Sequence, residues 1–205
     1  MPALVLIAGV VGVVVLALWS KSQASGDSGS YSVSGAVAAI LGGDSVAPVT
    51  DGGANDPISI ALPVIRKFEG FATGAYEDPQ GSGKFSIGYG HQIRPGDPYN
   101  SASAITEGEA TDVLRVDVGS AWTCVYQNVK VDCSPQQYAA LISLCFNIGC
   151  NAFKSSTLVR DLNNGDIASA ADQFSVWNKV GGQISDALVQ RRQDEQQLFQ
   201  SGTVA

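Results

Sequence analysis

Hydrophobic positions along this chain fall into three regimes. Over residues 3–19 they run unbroken by any charge, over 20–57 they thin into Gly, Ser, Asp and Pro without a sustained period, and from 58 onward they recur at helix and strand spacings. At 1.5 Å per residue the first run makes about 25 Å of helix, the short end for a bilayer span. An uncharged apolar start followed by polar sequence is the layout of an exported or anchored chain. The second regime predicts a flexible linker with a root-mean-square reach of about 34 Å. Within it, residues 33–41 suffice for a turn or two of helix and no more. The expected organisation is therefore a transmembrane or signal-anchor segment over 1–19, a linker over 20–57 and one folded domain over 58–205.

In that domain, residues 58–68 carry apolar positions near a helical spacing behind Asp56-Pro57, an N-cap and a permitted first-turn proline, so a helix is expected to lead up to Glu69. Residues 70–96 are dense in Gly and Pro, with short runs at 75–76 and 85–89; a small sheet is predicted, with its tightest turn over Gln80-Gly81-Ser82-Gly83. Thr106 and Glu109 form a capping box opening a helix, and Ser134-Pro135 opens another whose run YAALISLCFNI is apolar nearly all round and so central. Further helices are expected over 157–163, 167–177 and 184–199. Trp122, Tyr138, Phe146, Phe153, Trp177 and Phe199 sit at helical spacings and are assigned to the core. The class is α+β, a small antiparallel sheet lobe beside a larger helical lobe.

Composition narrows the chemistry. Twelve basic against 19 acidic residues give a net charge of −7, which lacks the basic footprint of a nucleic-acid binder. A single histidine, His91, leaves too few imidazoles for a His-rich zinc centre, so no metal site is expected. Against this background residues 66–91 stand out: a glutamate at a helix end, an aspartate nine residues later in a turn, and a hydroxyl at Ser86 on a Gly-rich strand. Glycosidic cleavage needs two carboxyls in different surroundings, one protonated to donate to the leaving oxygen and one ionised. Glu69, between Phe68 and Gly70-Phe71, suits the first role and Asp78 the second. Most carboxylates are solvated surface charges, however, and Glu77 competes with Asp78, so spacing alone leaves the assignment open.

The same stretch resembles the signature of the phage-type lysozymes, glycoside hydrolase family 24, in Glu69-Gly70, Ala75-Tyr76-Glu77-Asp78 and Ser86-Ile87-Gly88-Tyr89-Gly90-His91. The similarity continues through Ile105-Thr106, Glu109-Ala110, Ser134-Pro135, Phe146-Asn147 and Arg191-Arg192 with Glu195. The resemblance implies a lysozyme-like fold and a peptidoglycan muramidase that hydrolyses the β-1,4 bond between N-acetylmuramic acid and N-acetylglucosamine without a cofactor. Glu69 is then similar to the family's general acid, Asp78 to its water-orienting or charge-stabilising carboxylate, and Ser86 to a position usually held by threonine. Ser86 keeps the hydroxyl that would hold the attacking water, so activity with altered efficiency is expected. Two extra residues between Asp78 and Ser86 fall in the hairpin turn. Tyr89, His91, Asn147 and Arg191 are the implied substrate-binding residues. On their own, His91 reads as a structural residue, for which the resemblance implies hydrogen bonding or ion pairing beside the cleft, Asn147 equally as a helix-end polar group, and Arg191 as a solvated helix position able to pair with Glu69.

Four cysteines suit an oxidising compartment and allow three pairings; proximity favours Cys124–Cys133 and Cys145–Cys150, the latter needing a turn at Gly149, with four reduced thiols as the alternative. Lys21 just after the apolar run is a weak vote for a cytoplasmic C-terminus, against which the four cysteines count. Ser22-Gln23-Ala24 offers a cleavage site, but no Lys or Arg precedes the segment, which favours retention. The expected partners are peptidoglycan strands and, through residues 3–19, a membrane. The expected place is the inner membrane with a monomeric catalytic domain in the periplasm, for phage lysis, or alternatively a virion membrane or virion for entry. Two other classes compete: a non-catalytic wall-binding or structural membrane protein on the same fold, and a cysteine–histidine peptidase, for which no cysteine has a nucleophile context.

Overall fold

The computed structural model describes Gly53 and residues 55–202. The apolar run over 3–19, the 33–41 stretch and nearly all of the linker lie outside the described residues. Among the described residues no helix is long and apolar enough to cross a membrane.

Helix α1 (Pro57–Glu69) starts where expected: the Asp56 carboxylate accepts from Ile58 N and Ser59 N at 3.0 Å each, and Pro57 occupies the first turn. It buries Ile58, Ala61, Leu62 and Ile65 and stops at Gly70, whose φ of 72° turns the chain directly after Glu69. Strands β1 (Ala72–Glu77), β2 (Phe85–Gly88) and β3 (His91–Gln92) follow as an antiparallel sheet in that order. Tyr76 pairs with Ser86, Glu77 with Phe85, Ser86 with Gln92 and Ile87 with His91. The Asp78 N–H donates to Lys84 O at 2.8 Å, carrying the register one step into the hairpin loop, where Gly81 and Gly83 supply positive φ. Gly88 cannot be replaced cheaply. Its φ is 66°, and a Cβ there would lie 2.9 Å from Ala110 Cβ, so glycine lets the sheet close onto the next helix.

That helix, α2 (Glu107–Asn128), opens with the full capping box: Glu109 N donates to Thr106 Oγ1, and Thr106 N donates to Glu109 Oε2. Helix α3 (Pro135–Ile148) has the equivalent box between Ser134 and Gln137. Residues 139–145 are buried without interruption, since α1, α2 and α7 all pack on α3. Its nearly all-round apolar sequence is thus the sequence of a central helix. Short helices α4 (Cys150–Lys154), α5 (Thr157–Asn163) and α6 (Ile167–Asp172) lead to a 3₁₀ turn (Gln173–Val176), the β4 (Lys179–Val180) and β5 (Gln183–Ile184) hairpin, and α7 (Asp186–Ser201). Trp122, Phe153 and Phe199 are buried, while Tyr138, Phe146 and Trp177 pack partly buried against the core, as expected.

Three expectations are corrected. The helix expected over 167–177 breaks after Asp172 into the 3₁₀ turn, and Ile184 pairs in the β4–β5 hairpin, with α7 starting only after the Ser185 cap. The disulfide joins Cys124 to Cys150, at a Cα separation of 5.8 Å, and Cys133 and Cys145 are free. Sequence proximity failed because packing of α4 on the C-terminal half of α2 brings residues 26 apart together. The chain does turn at Gly149, but this points Cys145 into the core while Cys150 opens α4 beside α2. Burial pushes the Cys133 thiol up to about 11 and the Cys145 thiol up to about 12, so neither is a ready thiolate near neutral pH.

Candidate active site

Glu69 ends α1 with its side chain 26% exposed, at the junction between the helical lobe and the sheet. Arg191, one turn into α7 and nearly fully buried, donates from Nη1 to Glu69 Oε1 at 2.7 Å and lies over the Phe68 ring. The ion pair considered from the sequence is therefore formed. A guanidinium only donates, so Oε1 is committed as an acceptor and Oε2 is the oxygen left to carry a proton.

Behind Arg191 lies a buried polar cluster. Glu195 is fully buried, and its Oε1 accepts from Ser143 Oγ at 2.7 Å, Arg191 Nε at 3.2 Å and Arg192 Nη2 at 3.1 Å. Arg192 Nη2 also donates to Asn147 Oδ1 at 3.1 Å, at the C-terminal end of α3. Helical spacing puts Arg191, Arg192 and Glu195 on one face of α7. Burial pushes the Glu195 carboxyl up and the Arg192 guanidinium down to about 10, and their mutual attraction opposes both shifts. Ser143, Arg192 and Glu195 were not singled out as site residues from the sequence, although the i, i+3 and i, i+4 spacing of Arg-Arg-x-x-Glu was there to read.

The other side of Glu69 is the sheet. Tyr76 and Ser86 are cross-strand partners and so share a face, with Gln92 beside Ser86; the continuing register puts Asp78 on it too. Ser86 is 3% exposed, Asp78 is exposed, and Tyr76 is 39% exposed. The Tyr76 phenol is pushed up by burial first and then by the negative charges of Asp78 and Glu69, so it lies within the field of both carboxylates. Glu77 points from the opposite face. Its Oε1 accepts from Gly83 N at 2.6 Å, and the Gly81 and Gly83 amides hold its carboxyl below the usual range. Strand parity thus separates the two carboxylates, with Asp78 on the face of Tyr76 and Ser86 and Glu77 on the other.

Tyr89 and His91 are engaged elsewhere. Tyr89 is buried, accepts from Arg66 Nε at 2.7 Å and donates to Glu107 Oε1 at 2.9 Å, while Arg66 also pairs with Glu107; this triad ties α1 to α2. His91, paired with Ile87 rather than Ser86, faces α2, where its Nδ1 meets Asp117 Oδ2 at 2.9 Å and its Nε2 lies 3.4 Å from Asp97. The Asp117 hydrogen bond raises its pKa; desolvation opposes this, and the charges of Asp117 and Asp97 add to the rise. The structure thus pairs Glu69 with Arg191, sets Asp78 and Ser86 on one sheet face with Tyr76, reaches Asn147 through Arg192, and turns Tyr89 and His91 to inter-element contacts.

A groove of about 430 Å³ is lined by Asn147, Ile148, Trp177, Lys179, Val180 and Leu188 among others. Trp177, assigned to the core, thus also presents a surface to the groove. An amide, an aromatic ring and a lysine along an open cleft suit an extended polar chain with apolar faces, such as a glycan.

Known proteins resemble this chain in sequence and in fold. The chain is 41% identical over 140 residues to the endolysin of Bacillus phage PZA, covering 68% of this chain and 53% of that one, so it spans about half that relative's length. It is 30% identical over 167 residues to the SAR-endolysin of Enterobacteria phage P21, covering 80% of this chain and 92% of the relative. Among solved structures, the muramidase domain of SpmX from Asticaccaulis excentricus superposes with a TM-score of 0.60 at 31% identity, covering 68% of this chain and 93% of that one. The family model described as phage lysozyme matches residues 66–195, and the chain belongs to the phage lysozyme family.

Proposed function

We propose that this chain is a peptidoglycan muramidase that hydrolyses the β-1,4 bond between N-acetylmuramic acid and N-acetylglucosamine, with Glu69, Asp78 and Ser86 as its catalytic residues. The observation that carries the reading is the pairing of a glutamate held at one oxygen by Arg191 with a sheet face bearing Asp78 and Ser86. Glu69 gives the proton on Oε2 to the glycosidic oxygen as the bond from the anomeric carbon breaks. Asp78 stabilises the positive charge building on the sugar ring and orients the water that the Ser86 hydroxyl holds. That water adds to the anomeric carbon, and its surplus proton passes to a carboxylate. Arg191 orients Glu69, and Asn147 meets the glycan in the groove. Family membership and the relatives named endolysin and muramidase support the reading.

Residues 1–19 are proposed to tether a monomeric domain, through the linker, to the periplasmic face of the inner membrane for phage lysis, with a virion membrane as the alternative setting. The charge-free run over 3–19 and the likeness to a relative named SAR-endolysin support this. Tethering raises the local concentration of an acidic domain that its net charge of −7 would otherwise keep from an anionic wall.

The test is turbidity clearing of chloroform-permeabilised Gram-negative cells by the full chain, followed by analysis of the released fragments. Reducing muramic-acid ends should appear and should fall by about 10²–10⁴-fold with Glu69→Gln, the usual contribution of a positioned proton donor. A folded protein that binds wall and releases nothing moves the chain to the non-catalytic class, a reading to which the serine at position 86 lends itself. Recovery in the membrane pellet, lost on deleting residues 1–19, checks the tether.

A further inference from the structure

We propose that Glu195 and Ser143 are positioning residues for two separate parts of the site: through Arg191 they set the orientation of Glu69, and through Arg192 they set the amide of Asn147 at the groove. The proposal rests on the reading of Glu69 as the proton donor.

The geometry is a fork. One carboxylate oxygen, Glu195 Oε1, gathers Ser143 Oγ, Arg191 Nε and Arg192 Nη2 at 2.7, 3.2 and 3.1 Å. Each arginine then leaves α7 toward a different element: Arg191 Nη1 to Glu69 at the end of α1, and Arg192 Nη2 to Asn147 at the end of α3. With Asn147 Oδ1 committed to Arg192, the donor end of the amide is the one presented to the groove that Asn147 lines.

Stability alone does not account for this cluster. Both guanidiniums and Glu195 are nearly fully buried, and desolvation of buried ions is repaid only when their hydrogen bonds are complete. Here they are not. Arg191 Nη2 and Arg192 Nη1 have no partner among the described residues, and Arg192 Nε lies 3.0 Å from Glu195 Oε2 without hydrogen-bond alignment. Apolar side chains of similar volume would fill the same space at no such cost. What apolar residues could not do is hold two forked donors at fixed angles toward Glu69 and Asn147.

The two arms predict different kinetic signatures in the full chain, with kcat and KM measured on solubilised glycan strands well below each variant's Tm. Arg192→Met should raise KM about tenfold with kcat within about twofold, because it frees a binding amide. Ser143→Ala removes one hydrogen bond to Glu195 without unpairing a buried charge, so it should fold; it should lower kcat several-fold with little change in KM. Glu195→Gln should lower kcat further and raise KM as well, and Glu195→Asp should recover part of both. The Arg191 Nε–H resonance supplies a readout independent of turnover: it should be sharp in the wild type and in Arg192→Met, and broadened in Ser143→Ala.

Wild-type kcat, KM and Arg191 resonance in Ser143→Ala and Arg192→Met, with only Tm lowered, would overturn the proposal and leave the cluster a packing device. A wild type that produces no reducing ends overturns instead the assignment of Glu69, and the Arg191 resonance tells the two failures apart.

Discussion

Glu69 stands between two flanks built in opposite ways. On the sheet side, Tyr76, Asp78 and Ser86 come from one short hairpin, and two of the three are exposed. On the helical side, Arg191 reaches Glu69 across 122 residues of sequence from a fully buried cluster anchored on α3 and α7. The first flank sets a nearly buried hydroxyl and an exposed carboxylate on one sheet face and depends on little but strand parity. The second offers one guanidinium and depends on every neighbour that keeps it in place. The catalytic groups proposed on the sheet flank are thus carried by tolerant local structure, and the orientation of Glu69 by intolerant tertiary packing.

The sharpest way to break that contrast is to delete one group from each flank. Glu195→Ala leaves two buried guanidiniums without their carboxylate and should cost about 3–5 kcal/mol, read as a lowered urea midpoint at unchanged slope. Asp78→Ala removes an exposed carboxylate and should change stability by less than about 0.5 kcal/mol while activity falls. Equal losses of stability would show that the two flanks are not built differently after all.

The disulfide belongs to the helical lobe and extends the contrast. Closing a 26-residue separation between α2 and α4, the Cys124–Cys150 bond should contribute about 3 kcal/mol, lost on Cys124→Ser or on reduction. Because Cys133 and Cys145 are both held in the thiol form by burial, replacing either by Ser should leave the intact-protein mass of the oxidised chain showing one disulfide still in place. Peptide mapping that recovers a Cys124–Cys133 or Cys145–Cys150 link would refute the packing of α4 on α2 that brings Cys150 to Cys124.

On the sheet side the main electrostatic tie is His91. Its pKa is raised in the fold, chiefly by the hydrogen bond to Asp117, above an unfolded value of about 6.5. A group whose folded pKa is raised stabilises fully below its unfolded pKa and loses that contribution as pH rises through the folded one. His91→Gln should therefore lower Tm at pH 5 and have a progressively smaller effect above pH 6.5, with a difference of about 1 kcal/mol or less for a pair whose carboxylates are partly exposed. A penalty that grows with pH would contradict the Asp117 contact.

How much of this was legible in the sequence follows the range of each interaction. The caps at Asp56, Thr106 and Ser134 are written within three or four residues, and all three begin helices where expected. The hairpin and the glutamate at the helix end were legible for the same reason. The resemblance, extending over most of the domain, supplied the fold and the candidate residues, but spacing alone could not choose between Glu77 and Asp78. The disulfide pairing, the partners of Tyr89 and His91, and the Ser143–Glu195 contact depend on which helices pack together. A run such as Arg-Arg-x-x-Glu reads equally as a solvated helix face until α3 closes over it. Ile184 was lost to the helix pattern because a two-residue strand leaves no periodicity to detect.

The smallest effect is expected at Ser86, where the resemblance implies a threonine. Ser86 is nearly buried between Tyr76 and Gln92, its cross-strand partners, so a threonine there must place one more methyl in a tight space. β-branching restricts χ1 and suits a strand, so Ser86→Thr should leave stability within about 0.5 kcal/mol and hold the hydroxyl in fewer orientations. If that hydroxyl positions the attacking water, kcat should rise, but by less than about tenfold, since the oxygen is present in both residues. Ser86→Ala keeps the backbone and packing and removes only the oxygen, so its kcat should fall well below that of both. Single-turnover assays on the same glycan substrate separate the three. Equal rates in Ser86→Ala and the wild type would take the water from Ser86 and leave it to Asp78 alone, and the sheet flank would then carry its chemistry on a single exposed carboxylate.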